Sequence, residues 1–365
     1  MDELLKYKIG ITLIDGVGDI NAKNLIAYCG SPEAVFKQKK DHLLKIPGIG
    51  ENTAASIVKQ DVLKRAEEEI AFIEKNNITP LFYLDKEYPL RLKQCSDSPV
   101  MLYYKGNADL NSARILAVVG TRNITDYGRK MTHELVNGLK SSGALIVSGL
   151  AFGVDAAAHR AALSAGSSTV GVVAHGIDQL YPAEHYNIAQ KMLENGGLLT
   201  EFMSKTEAIP ANFPKRNRVI AGLSDAVVIV ESKEAGGAMI TAEIAFSYDR
   251  EVMAFPGKID DICSQGCNRL IQQNKAYLIR SANDVLEYLQ WQQDLSHIPA
   301  QQELLLDLSP EEEIIINTLK ANRVPMYIDD LTIQSKLTPG ILSSHLLTLE
   351  FAGVLKSLPG KMYSL

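Results

Sequence analysis

Between residues 81 and 290, short runs of aliphatic and β-branched residues alternate with longer stretches of helical periodicity, and this alternation limits the fold more than any other feature. The runs are Ile115–Val119, Ala144–Val147, Thr169–Val173, Leu198–Thr200, Ala226–Val230, Val252–Phe255 and Tyr277–Ile279. Continuous apolarity within a run suits a strand covered on both faces, as in a parallel sheet with crossover helices. One intervening stretch repeats Tyr127, Met131, Leu135 and Leu139 every four residues, giving a helix one apolar stripe. A mostly parallel α/β sheet is therefore expected, with ligands held outside the carboxyl ends of its strands.

At 365 residues the chain exceeds one comfortable core, and its texture changes twice. Residues 1–80 read as short helices broken by glycine turns. Two of these turns are alike, Ile14-Asp-Gly-Val-Gly18 and Ile46-Pro-Gly-Ile-Gly50, and each precedes a helical stretch. The pattern resembles the helix-hairpin-helix (SAM-like) motif, whose glycines let helix-start N–H groups approach a phosphate. Asp19 and Glu51 beside the glycines leave DNA contact and plain packing both open. Residues 291–309, rich in glutamine at their start, read as a linker. Residues 310–365 give three helical stretches and then two short apolar segments around Pro359-Gly360, the order of a winged helix. Its third helix, Pro339 to Leu349, contains no Lys or Arg, which disfavours it as a reader of duplex DNA.

With 46% hydrophobic and 22% charged residues, wholesale disorder is excluded. No run of 18 apolar residues occurs and the start, MDELLKYKIG, has acidic residues where a signal peptide would carry positive charge, so a cytoplasmic protein without membrane attachment is expected. Four scattered cysteines suggest reduced thiols, and Cys263 and Cys267 lack a second ligand pair for zinc. No metal or cofactor is expected. The net charge of −6 runs against nucleic acid in general, but cations gather locally around Arg122 and in Lys215, Arg216 and Arg218.

The strand ends carry the chemistry. Gly120-Thr121-Arg122 follows the first run, and a small-residue turn at a helix start with one guanidinium suits a phosphate. Ser148-Gly149-Leu-Ala-Phe152-Gly153 ends the next run and leads to Asp155. His159 lies on an alanine-rich helix with no matched nucleophile and reads as structural. Phe213, Lys215, Arg216, Asn217 and Arg218 combine a ring, three cations and an amide, as single-stranded nucleic acid requires: the ring stacks a base and the cations track phosphates. Gly236-Gly237 opens a further helix, and Pro256-Gly257 follows the sixth run. Several phosphate-competent turns on one sheet edge suggest a ligand with more than one phosphate.

The block from Tyr88 to Val285 resembles the bacterial DprA/Smf proteins. The resemblance rests on Gly120-Thr-Arg122, Ser148-Gly-Leu-Ala-x-Gly-Val-Asp155, Gly176-Ile-Asp-x-x-Tyr-Pro182, Phe213-Pro-x-Arg-Asn-Arg218-Val-Ile-Ala-Gly-Leu223, Gly237-Ala-Met-Ile-Thr-Ala242, Pro256-Gly257 and Gly266-Cys-Asn-x-Leu-Ile271. It implies a Rossmann-like sheet flanked by helix-hairpin-helix and winged-helix domains. It further implies non-catalytic binding of single-stranded DNA, homodimerisation, and loading of a RecA-type recombinase onto incoming DNA in natural transformation. Transferred residue by residue, the DNA pocket comprises Gly120, Thr121, Arg122, Phe213, Arg216 and Asn217, with Gly149 and Gly237 as points of backbone approach. The dimer surface falls near Asn268, Ile271 and Leu278. Two positions depart from the family pattern: Pro210 stands where a lysine is common, and Phe152 replaces the arginine of SGLARG.

The rival reading is a nucleotide hydrolase of the lysine-decarboxylase-like group, because Gly236-Gly-Ala-Met-Ile-Thr-Ala-x-Glu243 loosely matches its PGGxGTxxE signature. It would offer Glu243 alone as the acid or base. A dinucleotide dehydrogenase is disfavoured, since no GxGxxG follows the first run.

Overall fold

The computed structural model describes residues 3–291, 308–322, 325–358 and 360–365. Most of the expected linker, and Pro359 of the expected hairpin turn, lie outside them. The chain divides into two compact units, Met1–Ala282 and Asn283–Leu365. Among the described residues no helix is long and apolar enough to cross a membrane.

Six helices open the first unit: α1 (Glu3–Leu13), α2 (Asp19–Cys29), α3 (Pro32–Phe36), α4 (Lys40–Leu43), α5 (Glu51–Lys59) and α6 (Leu63–Lys75). The two similar turns adopt the same backbone. Gly16 and Gly48 take φ of +78° and +83°, which explains glycine there, and Gly18 and Gly50 stand extended as N-caps of α2 and α5. Ile9, Leu25, Val35, Leu43, Ile57 and Ile70 form the apolar centre of this layer and share it with Phe82, Val100, Met101 and Tyr103 of the sheet edge. The layer is also tied to the sheet by charge. Asp19 accepts from the Val100 N–H at 2.8 Å and pairs with Arg218 at 3.0 Å. Buried Glu69 accepts from the Ser204 N–H at 2.9 Å and holds Arg65.

The elements that follow are β1 (Thr79–Phe82), α7 (Leu90–Lys93), β2 (Met101–Gly106), β3 (Ile115–Val119), α8 (Asp126–Gly138), β4 (Leu145–Ser148), α9 (Val154–Ala165), β5 (Thr169–Val172), α10 (Tyr186–Glu194), β6 (Gly196–Thr200), α11 (Asn212–Leu223), β7 (Ala226–Ile229), α12 (Gly237–Ser247), β8 (Glu251–Ala254), α13 (Gln265–Gln272) and β9 (Tyr277–Leu278). Nine strands form one sheet in the order β1-β2-β6-β5-β4-β3-β7-β8-β9. All seven expected runs supply strands, paired in parallel from β6 to β9. The strands β1 and β2 extend the sheet antiparallel beside β6 and were not anticipated. Strands β3, β4, β5 and β7 are buried throughout, as continuous apolarity requires. From β3 the chain winds outward through β4, β5 and β6, and it later returns to β7 on the opposite side. This reversal leaves a crevice above the carboxyl ends of β3 and β7.

In the second unit, α15 (Pro310–Asn322), α16 (Ile328–Ser335) and α17 (Pro339–Phe351) pack around Ile315, Leu331, Leu342 and Leu346; the helix α14 (Ala282–Tyr288) straddles the boundary between units. The strands β10 (Met326–Tyr327), β11 (Lys356–Leu358) and β12 (Met362–Ser364) form a sheet in the order β10-β12-β11, with β11 and β12 antiparallel. Three helices and a terminal hairpin complete the winged-helix arrangement.

Candidate nucleic-acid interface

The crevice between β3 and β7 holds a cavity of about 290 Å3. Its walls are the loop after β3, the start of α11 and the loop from β7 into α12, including Gly120, Thr121, Arg122, Phe213, Arg216, Asn217 and Gly237. Cross-links between neighbouring strand ends hold these loops. The Thr121 N–H donates to the Glu231 carbonyl at 2.8 Å, and the Val154 N–H donates to the Thr121 carbonyl at 3.1 Å.

The segment from Phe213 to Arg218 is the opening of α11. At 3.6 residues per turn, positions 213, 216, 217 and 220 share one face, and Phe213, Arg216, Asn217 and Ile220 line the cavity. Lys215 and Arg218 project elsewhere. The Arg218 side chain is mostly buried and paired with Glu201 and Asp19. Burial works against its charge, but Glu201 and Asp19 reverse the balance and hold its pKa above the ordinary arginine value. Lys215 is exposed, and its positive charge acts on Glu201. The expectation that all three cations face one ligand is thereby corrected: helical geometry sends Arg216 to the cavity and Arg218 to the helical layer.

Arg216 is itself only 5% exposed. Its Nη1 donates to the carbonyls of Gly149 and Val172, the latter at 2.5 Å, and its Nε donates to Asn217 Oδ1 at 3.1 Å. Burial lowers its pKa to about 10 despite the opposing attraction of Asp155, and Arg122 adds to the fall. It stays charged at neutral pH and gives the cavity floor a fixed positive charge. Asp155 lies beside it and accepts from the Ala151 N–H at 3.3 Å; burial raises its pKa against the pull of Arg216. Gly149 explains itself here. A Cβ on it would lie 2.6 Å from both Arg216 Nη1 and Asp155 Oδ2. Its missing side chain makes room for the Arg216 guanidinium and the Asp155 carboxylate, where a point of approach for an external backbone was expected.

Arg122 is exposed, and its guanidinium carbon sits 5.2 Å from the Phe213 ring centroid, with that of Arg216 at 5.9 Å. Tyr181 meets the same ring edge-on at 6.0 Å. Gly237 begins α12 with open space where a Cβ would stand, so the first N–H groups of that helix border the cavity. Exposed Lys233 and the buried Ser232 and Thr241 also line it. Ser232 and Lys233 were not singled out in the sequence, although they come two and three residues after the run ending at Val230, and Thr241 stood only within the Gly237–Ala242 motif. A surface of this composition can hold phosphate groups against the cations and the helix start, and a planar ring against Phe213.

His159 is fully buried. Thr169 Oγ1 donates to the Ile146 carbonyl at 2.9 Å, so it accepts from the His159 Nδ1–H at 2.7 Å, and Nε2 carries the lone pair. Burial, helped by the charges of His185 and Arg216, lowers the pKa of His159 to about 3.

Asn268 and Ile271 lie on α13 and Leu278 on β9, the edge strand beyond β7 and β8. Asn268 makes two hydrogen bonds to the backbone of Gly257, donating at 3.0 Å and accepting at 3.1 Å. Ile271 packs partly buried on the main core, and Leu278 is 40% exposed on the edge strand β9.

Residues 79–290 match the family described as DNA recombination-mediator protein A, residues 299–361 the DprA winged-helix domain, and residues 10–60 the SAM-like helix-hairpin-helix tandem. DNA processing protein DprA of Bacillus subtilis is 39% identical over 221 residues, covering 60% of this chain and 74% of that protein. The X-ray structure of DprA from Streptococcus pneumoniae superposes with a TM-score of 0.67 at 33% identity, covering 77% of this chain and 97% of that one. DNA processing protein A from Helicobacter pylori, a structure concerned with its single-stranded DNA binding mode, gives 0.53 at 29% identity over 58% of this chain and 95% of that one. With its sheet, both flanking modules and the motifs of its strand ends thus accounted for, the chain belongs to the DprA/Smf family of DNA recombination-mediator proteins.

Proposed function

We propose that the cavity between β3 and β7 binds single-stranded DNA without catalysis. The observation that carries this reading is Phe213, a partly exposed ring between two guanidinium groups beside the start of α12. A base stacks on Phe213, the adjoining phosphates meet Arg122 and the N–H groups at Gly237, and Arg216 supplies buried positive charge beneath them. Thr121, Gly120 and Asn217 line the path. Arg122 covers Phe213 in the free protein, so an incoming base displaces it and the freed guanidinium turns to a phosphate. The resemblance to the Helicobacter protein, described for its single-stranded DNA binding mode, supports the same ligand.

The non-catalytic reading is favoured over a nucleotide hydrolase by the position of Glu243. That residue is paired with Lys275 at 2.8 Å and is not among those lining the cavity. The acid that does line it, Asp155, accepts from the Ala151 N–H and lies in the field of Arg216.

We place the protein in the cytoplasm as a homodimer joined through the β9 edge around Asn268, Ile271 and Leu278. There it would load a RecA-type recombinase onto DNA entering by natural transformation, with residues 1–80, 81–290 and 310–365 as three modules around a linker at 291–309. The direct test is fluorescence anisotropy of a labelled poly-dT strand and the matching duplex at several salt concentrations. Tight, salt-sensitive preference for the single strand is expected. Equal binding of both, or of neither, would return attention to nucleoside monophosphates and hydrolysis.

A further inference from the structure

A second, smaller cavity of about 20 Å3 adjoins the first and shares Arg122, Phe213 and Arg216 with it. Its remaining walls include Phe152, Tyr181, Pro182 and His175. The rings of Phe152 and Tyr181 are 43% and 49% exposed. Exposure of two large aromatic side chains beside a third is unfavourable in water unless something covers them.

Both residues are held from behind. The Phe152 ring meets the ring of buried His185 edge-on at 4.9 Å, and His185 Nδ1 is hydrogen-bonded to the Leu150 carbonyl at 2.9 Å. The Tyr181 N–H donates to His175 Nε2 at 3.1 Å, which anchors its backbone, and its ring lies edge-on to Phe213. A ring braced as Phe152 is loses little freedom when a flat partner settles on it. The slot has room for about one water molecule, so a base cannot enter it and would instead lie across its mouth. Arg122 and Arg216 are the cations that line it, and both are shared with the first cavity. Phe152 stands where the SGLARG pattern of related proteins places an arginine, so an aromatic face here replaces a charge.

We propose that Phe152 and Tyr181 form a second stacking subsite, beside Phe213, which takes the neighbouring unpaired base of a DNA single strand. The inference rests on single-stranded DNA as the ligand of the first cavity. Rings stack on any base, so the subsite adds affinity without sequence preference and without salt dependence.

The test uses the full chain with labelled poly-dT and an abasic strand of the same length. Phe152→Leu should weaken binding to poly-dT by about fivefold or more, the lower end of what loss of one stacked base costs, and leave the salt slope and the abasic strand unaffected. Phe152→Arg should steepen the slope by about 0.7, one added phosphate contact. Phe152→Trp should keep affinity, and its indole fluorescence, read against the one native tryptophan, Trp291, should fall on adding poly-dT and not on adding the abasic strand. Wild-type-like binding of poly-dT by Phe152→Leu, or an indole that responds equally to both strands, would overturn the subsite while leaving the first cavity intact. Failure of the wild-type protein to bind either strand would overturn the DNA reading and the subsite together.

Discussion

Arg122, Arg216 and Arg218 differ more in surroundings than in chemistry. Arg122 is exposed over a ring, Arg216 is buried among carbonyls, and Arg218 is paired with two carboxylates. Arg122→Ala should therefore weaken single-strand binding and lower the log–log salt slope by about 0.7, the share of one phosphate contact. Phe213→Ala should cost about 1 to 3 kcal/mol of binding with little change in slope, because stacking releases few ions. A salt titration of each variant separates the two roles. His159 gives a pH prediction. Its pKa falls from 6.5 to about 3 on folding, so its contribution to stability is complete above the unfolded value and is lost as the pH drops towards the folded one. In denaturant titrations between about pH 6 and 4, wild-type unfolding free energy should fall more steeply than that of His159→Gln by about 1.4 kcal/mol per pH unit. At this scale the ring, the guanidinium groups and the glycines were legible in sequence. The burial of Arg216 was not, since the carbonyls that hold it belong to Gly149 and Val172, 67 and 44 residues away.

Among the elements, strand identity was the most legible, because the buried parallel strands repeat one signal. Strand β1 escaped notice because Pro80 interrupts it, which an edge position tolerates. Strand β2 gained its place from antiparallel pairing with β6, a partner nearly a hundred residues on. At the start of α11 the residue types were legible, but the helical spacing that sorts Phe213, Arg216 and Asn217 from Lys215 and Arg218 was not. The helix α15 shows local logic complete in four residues. Ser309 Oγ accepts from the Glu312 N–H at 3.2 Å, Glu312 accepts from the Ser309 N–H at 2.9 Å, and Pro310 fills the first helical position. Backbone hydrogen bonding from Ser309, with His345 assisting, lowers the pKa of Glu312. Ser309→Ala should destabilise the winged-helix unit by about 1 kcal/mol, measurable as a lower denaturation midpoint for that unit's transition.

For the whole molecule, the sheet reversal between β3 and β7 assembles the site, and the charged ties of the helical layer brace its margin. Arg218 links α11 to Asp19 of α2, 199 residues away, as well as to Glu201. Removing it leaves the buried Glu201 carboxylate without its partner, a change that typically costs about 3 to 5 kcal/mol. Arg218→Ala should therefore lower the denaturant midpoint of the first unit markedly and leave the salt slope of DNA binding unchanged. A reduced slope would instead return Arg218 to the phosphate path. The sequence by itself determined the alternating strands and helices, the paired glycine turns and the motifs at the strand ends, since each depends on periodicity or on residues a few positions apart. Tertiary structure alone decided which member of each motif faces the cavity. The reason is physical: a helix turns its side chains about 100° per residue, and the carboxylates and carbonyls that claim Arg216 and Arg218 come from distant elements that only folding brings near.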